Sequence, residues 1–214
     1  MTGFIQKAAL IALGAVLLTS GCATKHPPMT RAEYLAMTSR SYEGVTPAEV
    51  FAATEQLFLL ADPDDVQFTH GPDEIRVTRP WTVYLVLSAA RGTDYWRIQA
   101  TAEGGTTTVF AAANQESNVI VAAPTAQGDV YAGTVPMGGA PIAGTAIYDV
   151  FWDRLDYLLG KRAAWTTCAE SNRRQRAGEV WGDNSALCNG FNVANLLPSG
   201  EPELARDSSA ASND

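Results

Sequence analysis

The stretch TPAEVFAATEQLFLLADP, residues 46–63, decides the fold. Thr46 suits an N-cap, a proline follows at the first helical position, and Glu49 is placed to complete a capping box with Thr46. Apolar residues then recur every three or four positions until Asp62 and Pro63, where proline disfavours a helical conformation in the residue before it. The sequence therefore predicts an amphipathic helix with one apolar face to bury.

A second amphipathic helix is predicted near residue 150. Ile147, Phe151, Leu155 and Leu158 recur at helical spacing, and Gly160 is a suitable terminator. Each helix has one apolar stripe, so the two helices need a common apolar surface on which to pack.

Five runs between the helices are typical of strands in an antiparallel meander. Gly71-Pro72-Asp73, Arg91-Gly92-Thr93 and Gly104-Gly105 predict turns between some of them. Alternating apolar residues indicate one buried face. The five runs are Val66–His70, Glu74–Arg79, Trp81–Leu87, Asp94–Ala102 and Thr106–Ala112.

Residues 114–145 are rich in Ala, Gly, Pro and Val and contain almost no charge, over a length that a structureless loop inside a domain rarely reaches. We expect a hairpin that pairs 119–123 with 129–135, followed by a flexible link over 137–144. Exposed apolar area often marks an interaction site, so this region is also the candidate partner contact, with packing of the hairpin against the domain as the alternative. The candidate contact residues are Val119, Ile120, Val121, Val135, Met137 and Ile142.

These elements predict an α+β fold, in which an antiparallel meander carries both amphipathic helices on one face. An extended segment over 34–42 precedes the first helix, and the domain covers 34–160. The order of elements resembles the helix-grip domains of some envelope lipoproteins, including the C subunit of the outer-membrane β-barrel assembly machine. The resemblance rests on element order alone, so it assigns no functional residue.

The N-terminus is typical of an export signal. Lys7 precedes an apolar run of about 11 residues, which is much shorter than the roughly 20 needed to span a membrane. The sequence Leu18-Thr19-Ser20-Gly21-Cys22 resembles the lipobox of bacterial lipoproteins, although Leu18 stands one position further from the cysteine than in the commonest pattern. An ordinary cleaved signal or an uncleaved apolar helix is the alternative.

The lipobox resemblance implies that residues 1–21 are removed and that Cys22 becomes acylated. Several acyl chains hold a protein stably on a lipid bilayer without a spanning helix. Ala23 stands where an aspartate tends to mark inner-membrane retention in that family, so the resemblance implies the outer membrane, with the domain facing the periplasm. Residues 22–33, with Pro27-Pro28, would form the tether.

Cysteine usage agrees with export. Cys168 and Cys188 remain after Cys22, and an even pair in an exported chain suggests a disulfide. The bridge would staple a C-terminal extension over 161–198, and the polar, acidic residues 199–214 are predicted to be disordered. A zinc site is the alternative for the two thiols, but neither has a Cys or His at ligand spacing.

Composition and motifs exclude several functions. A formal net charge of −8 in 214 residues disfavours nucleic acid as a partner. The chain has two histidines, His26 and His70, and lacks a nucleophile elbow or a phosphate-binding loop. Asp62, Asp64 and Asp65 form the densest carboxylate group, but a polar turn explains it without catalysis. We expect a protein that is not an enzyme and uses neither a cofactor nor a metal.

Two functions remain from the sequence, and an enzyme that acts on envelope polymers through Asp62, Asp64 or Asp65 is a third, held in reserve. The first is a non-catalytic lipoprotein that serves as a binding or accessory component of a cell-envelope protein assembly. The alternative is a carrier of a small hydrophobic or lipid ligand in a cavity between the sheet and the helices, with Trp81, Tyr84, Trp96 and Phe110 as the wall.

Overall fold

The structure is a computed structural model that describes residues 28–85, 88–124, 130–142, 144–188 and 195–203. The predicted signal peptide, Cys22 and most of the tether lie outside the described residues, as do residues 204–214 of the predicted tail. The chain divides into two compact units, Met1–Tyr34 and Leu35–Asp214. The sheet and the candidate site belong to the second unit.

A six-stranded antiparallel sheet forms the framework. The strands lie in the order β1-β5-β4-β3-β2, and β6 also pairs with β5. β1 pairs with β5 residues 106–110, and β6 pairs with β5 residues 114–124. The strands are β1 (Ser39–Glu43), β2 (Gln67–His70), β3 (Glu74–Leu85), β4 (Ser88–Glu103), β5 (Thr106–Pro124) and β6 (Val130–Pro141).

Four helices accompany the sheet in the described residues: α1 (Arg31–Thr38), α2 (Pro47–Ala61), α3 (Ala146–Leu158) and α4 (Cys168–Arg176). The capping box predicted for α2 is present, with the Glu49 amide donating to the Thr46 side chain and the Glu49 carboxylate accepting from the Thr46 amide. The two predicted amphipathic helices are therefore confirmed as α2 and α3, and Gly160 follows α3 at a φ of 69°.

The core lies between one face of the sheet and helices α2 and α3. Trp96 on β4 stacks on Phe151 of α3 with ring centroids 5.1 Å apart, and meets Phe58 of α2 edge-on at 5.3 Å. The Tyr148 hydroxyl accepts a hydrogen bond of 3.1 Å from the Ala113 amide, which ties α3 to β5. The α+β fold with both amphipathic helices on one sheet face is confirmed.

The strand boundaries in the middle of the sheet differ from the prediction. Arg91-Gly92-Thr93 is not a turn but lies inside β4, and the two runs separated by Pro80 form the single strand β3. Pro80 is tolerated because β2 pairs with β3 only as far as Thr78, which leaves an edge where the missing amide hydrogen does no harm. Gly92 serves close packing, since a Cβ there would lie 2.2 Å from the Glu116 carbonyl oxygen.

The segment predicted to be extended over 34–42 is helical in its first half. α1 ends at Thr38, and only the residues from Ser39 onward form a strand. A capping box starts this helix as well, because the Glu33 amide donates to the Thr30 hydroxyl at 3.2 Å and the Thr30 amide donates to the Glu33 carboxylate at 2.7 Å. The Thr-x-x-Glu spacing was the signal that the prediction missed.

The C-terminal part of the chain is fastened to the domain. Cys168 and Cys188 form the predicted disulfide, with their Cα atoms 5.3 Å apart. Disorder was predicted from residue 199 onward, but Glu203 is fixed to the domain. Its carboxylate accepts a hydrogen bond from the Cys168 amide and forms an ion pair of 3.5 Å with the buried Arg154. Within the described ranges, no helix has the length and apolar character needed to cross a membrane.

Candidate functional site

Four strands of the sheet continue well beyond the helices. We call this part of β3, β4, β5 and β6 the extension, and define it as residues 81–85, 88–93, 116–124 and 130–139. The register places Val83, Ala90, Val119 and Val135 side by side in one row across the four strands. The next row holds Tyr84, Ala89, Ile120 and Thr134.

The two rows lie on opposite faces, because side chains alternate along a strand. The row with Val83 and Val135 is on the face that packs against the helices lower in the sheet, and the row with Tyr84 is on the other. Neither row is buried: Tyr84 is 82% exposed and Val135 is 49% exposed, whereas Val77 and Trp96 in the covered part are 1% and 2% exposed. The extension therefore presents apolar side chains on both faces.

Most of the predicted contact residues lie in the extension. Val119 and Ile120 are half-buried on β5, and Val135 is exposed on β6. The backbone of Val121 and Met137 lies in β5 and β6, while their side chains are outside the described part of the structure.

Ile142 is a correction. It follows β6 directly, donates its amide hydrogen to the Ala113 carbonyl oxygen at 2.9 Å, and is 9% exposed in the hydrophobic core. It is the point at which the chain returns from the extension to the domain, so it is not an exposed contact. The predicted flexible link over 137–144 is likewise replaced by strand as far as Pro141.

A buried ion network marks the base of the extension. The Arg79 guanidinium donates to Asp62 at 2.8 Å, to Asp94 at 3.2 Å and to the Ala186 carbonyl oxygen at 2.9 Å. Burial raises the pKa of Asp94, although its carboxylate also accepts hydrogen bonds from Gln115 and Arg79 that favour the charged form. The network joins the end of α2, β3, β4 and the C-terminal segment 161–198 at the level where helix coverage ends.

A shallow cleft of about 190 Å³ opens beside this network. Trp81 forms part of its lining and is fixed there, because its indole Nε1 donates to Asp94 at 3.1 Å and its ring lies across Gly92. A Cβ on Gly92 would approach the Trp81 ring to 2.4 Å, so only glycine permits this packing. Val83, Gln115, Asp183 and Ser185 complete the lining with Arg79 and Asp94.

The predicted lipid cavity is not formed by its four candidate residues. Trp96 fills the core against Phe58 and Phe151, and Trp81 lines the cleft at the base of the extension. Tyr84 and Phe110 lie on the opposite sheet face, which the register fixes by alternation. The four side chains therefore do not line a common space.

The three clustered carboxylates also separate. Asp62 is buried and paired with Arg79, whereas Asp64 and Asp65 are exposed in the turn after α2. His70 Nε2 lies 2.6 Å from Glu55 Oε1 on the surface, and His26 lies outside the described residues. The ranges that the structure describes hold no group of three or more Cys, His, Asp or Glu side chains arranged to bind a metal.

The sequence analysis predicted neither buried arginine, Arg79 or Arg154. Arg154 is 1% exposed and donates to the carbonyl oxygens of Thr166 and Leu187, each at 3.0 Å, while its guanidinium lies 4.7 Å from the Trp165 ring centroid. Burial lowers the pKa of Arg154 to about 10, and Glu203 partly offsets this effect. An arginine in the apolar stripe of α3 was the available signal, and its partners depend on chain reversals that the sequence does not show.

Comparisons with protein-family models, curated proteins and solved structures found no match to this chain.

Proposed function

We propose that this protein is a non-catalytic lipoprotein, anchored in the outer membrane through Cys22, that serves as a binding component of a cell-envelope protein assembly. The domain faces the periplasm, and the extension is the surface by which it joins the assembly.

The observation that carries the proposal is the uncovered extension. A sheet exposed to water on one face normally alternates apolar and polar residues, and edge regions usually carry charges that prevent association. The extension has apolar side chains on both faces, and contiguous apolar surface of this kind marks an interaction site. The ion network around Arg79 and the disulfide support its base, so the surface is held on a firm scaffold.

Site-specific photo-crosslinking in intact cells tests the binding role. A photoreactive residue at Tyr95 or Asn118, near the base of the extension, is expected to capture an envelope protein. The same residue at Thr101, exposed on the covered half of β4, is the matched control and is expected to capture far less. Equal capture at all three positions, or none at any, would contradict the proposal.

A separate measurement tests the anchor. Radiolabelled palmitate is expected to enter the wild-type chain and not the Cys22→Ser variant. Incorporation that persists in the variant, or that is absent from both, would contradict acylation at Cys22 while leaving the binding role of the extension open to the cross-linking result.

A further inference from the structure

The disulfide between Cys168 and Cys188 has different surroundings at its two sulfur atoms. Nη2 of Arg154 lies 3.1 Å from the sulfur of Cys168 and 3.8 Å from the sulfur of Cys188. The side-chain amide of Asn195 donates to the Cys168 sulfur at 3.3 Å. Two side-chain N–H donors therefore converge on Cys168, and the contact with Cys188 is the weaker one.

Arg154 is fixed in place mainly by uncharged acceptors. Its Nε and Nη1 donate to the carbonyl oxygens of Thr166 and Leu187, each at 3.0 Å, and its side chain is buried. The carboxylate of Glu203 is 3.5 Å from Nη2, which is longer than the roughly 2.7–2.9 Å typical of a charge-assisted hydrogen bond. Because this buried cation is only loosely paired, it can directly stabilise a negative charge on the Cys168 sulfur.

Two carboxylates near Cys168 oppose this effect. Glu203 accepts a hydrogen bond from the Cys168 amide, and Glu170 lies in the first turn of α4, which begins at Cys168. Glu170 is partly exposed and pairs with Arg173 at 2.7 Å, so its charge is screened. Arg154 contacts the sulfur itself, and the N-terminal end of α4 adds a positive potential. The balance favours a thiolate at Cys168, as for other cysteines that lie at a helix N-terminus beside an arginine.

From this asymmetry we infer that the Cys168–Cys188 bridge is an exchange-active disulfide that oxidises thiols. The reactant is a thiolate, supplied by a small thiol or by a cysteine of another protein. Both cysteines are half-buried, so the bridge is partly accessible to solvent. The inference rests on residues outside the extension, so it goes beyond the proposed function and does not depend on it.

The exchange has two steps. The incoming thiolate attacks the sulfur of Cys188, the Cys168–Cys188 bond breaks, and its electron pair passes to Cys168, which leaves as a thiolate beside Arg154. A mixed disulfide now joins the reactant to Cys188. A second thiolate attacks the reactant sulfur, and Cys188 leaves with the electron pair and takes a proton from water. Two reactant thiolates are oxidised to one disulfide, and the bridge is reduced. The first attack is directed to Cys188 because the more stable thiolate is the better leaving group.

A pair of single-cysteine variants tests the asymmetry. Cys188→Ser leaves the thiol of Cys168, Cys168→Ser leaves that of Cys188, and each chain also carries Cys22→Ser so that one thiol remains. Ultraviolet absorbance of the thiolate, followed against pH, is expected to give a pKa below about 7.5 for Cys168 and a value near the ordinary 8.5 or above it for Cys188. Equal values, or the lower value at Cys188, would overturn the inference.

Glu203→Gln distinguishes an electrostatic origin from a structural one. It keeps an acceptor for the Cys168 amide but removes the opposing charge, so in the Cys188→Ser chain it is expected to lower the pKa of Cys168 further, by about 0.5–1. Glu201→Gln is the matched control, because it removes an exposed carboxylate two positions away and is expected to leave that pKa unchanged. A pKa that Glu203→Gln leaves unchanged or raises would contradict the inference.

Mapping of the mixed disulfide needs no change at the bridge. The folded Cys22→Ser chain is treated with reduced glutathione or with a cysteine-containing unstructured peptide, quenched with iodoacetamide and analysed by mass spectrometry. We expect the probe on Cys188 and the alkyl group on Cys168, in at least tenfold excess over the reverse arrangement. The faster probe identifies the class of thiol. An even distribution, the reverse arrangement, or reaction with neither probe until urea unfolds the chain would overturn the inference.

Cross-linking at Tyr95 or Asn118 involves neither cysteine, so the proposed function and the exchange reaction can fail separately.

Discussion

The two halves of the same sheet follow one pattern of alternation but have different surroundings. β5 has 19 residues and extends about 63 Å, whereas α2 has 15 residues and is about 22 Å long. The helix is therefore much shorter than the longest strand. In the covered half the inward side chains are buried by α2 and α3, and in the extension the same face meets neither helix.

The difference is whether the apolar face of the sheet is covered by helices of the same chain. Val77 and Val83 stand on the same face of β3, yet Val77 is buried against the helices and Val83 borders an open cleft. Alternation along a strand predicts which face is apolar, but it does not predict which element covers that face. In the covered half the helices provide the cover, and no described element covers the extension.

Removing one aromatic side chain from each half gives the largest expected contrast. Trp96→Ala should lower the free energy of unfolding by about 3–5 kcal/mol, because it leaves a cavity between Phe58 and Phe151. Tyr84→Ala should change it by no more than about 0.5 kcal/mol, because the side chain is almost fully exposed. Urea unfolding of both variants measures the difference, and similar losses would show that the extension contributes to the core.

The disulfide between Cys168 and Cys188 is expected to stabilise the folded domain. The double variant Cys168→Ser, Cys188→Ser should lose about 3 kcal/mol, because the bridge closes a loop across 20 positions of sequence. The guanidinium of Arg154, which lies against the Cys168 sulfur at 3.1 Å, would also lose part of its packing. Urea unfolding of the wild type with and without a reductant should reproduce the loss, and the variant should not respond to the reductant.

Gly92 offers a way to disturb the extension selectively. Gly92→Ala would force a Cβ against Trp81 and the Glu116 carbonyl oxygen, so we expect a loss of about 1–3 kcal/mol. Hydrogen exchange should accelerate in β3 and β4 beyond residue 80 and remain slow near Ile75 and Ile98. Uniform acceleration over the sheet would show that the two halves unfold together.

Local sequence signals predicted the covered half well. The capping box at Thr46 and the spacing of Ile147, Phe151 and Leu155 identified α2 and α3, because caps and helical periodicity depend on residues a few positions apart. The disulfide followed from counting the two cysteines that remained after Cys22. The same kind of local signal, Thr30 with Glu33, was present before α1 and was missed.

The extension was predicted less well because its signals depend on distant neighbours. Pro80 separates two predicted strands and Gly92 belongs to a predicted turn, yet both lie inside strands. Pro80 is on an unpaired edge, and Gly92 lies under the ring of Trp81. Ile142 was grouped with exposed residues because no local pattern shows that β6 ends at the core. The partners of Arg79 lie 17, 15 and 107 positions away and were not predictable from spacing.

Asp94 stands where the two halves meet, and its titration gives the smallest of these effects. Burial raises its pKa above the ordinary value of 3.8, so the folded chain holds this proton more readily than the unfolded chain does. The associated stability is fully present below the unfolded pKa and is lost as pH rises through the folded pKa. Asp94→Asn cannot titrate, so the wild-type advantage over the variant should decrease between pH 3 and neutral pH.

Urea unfolding of both chains at a series of pH values and constant ionic strength measures that advantage. Comparison with the variant removes the contribution of carboxylates such as Glu74, whose pKa the hydrogen bond from Arg97 lowers and whose effect has the opposite sign. An advantage that increased with pH would mean that Arg79, Gln115 and Trp81 stabilise the carboxylate more than burial penalises it. Asp94 would then behave as the carboxylate of a solvated ion pair and not as a carboxyl group in the core.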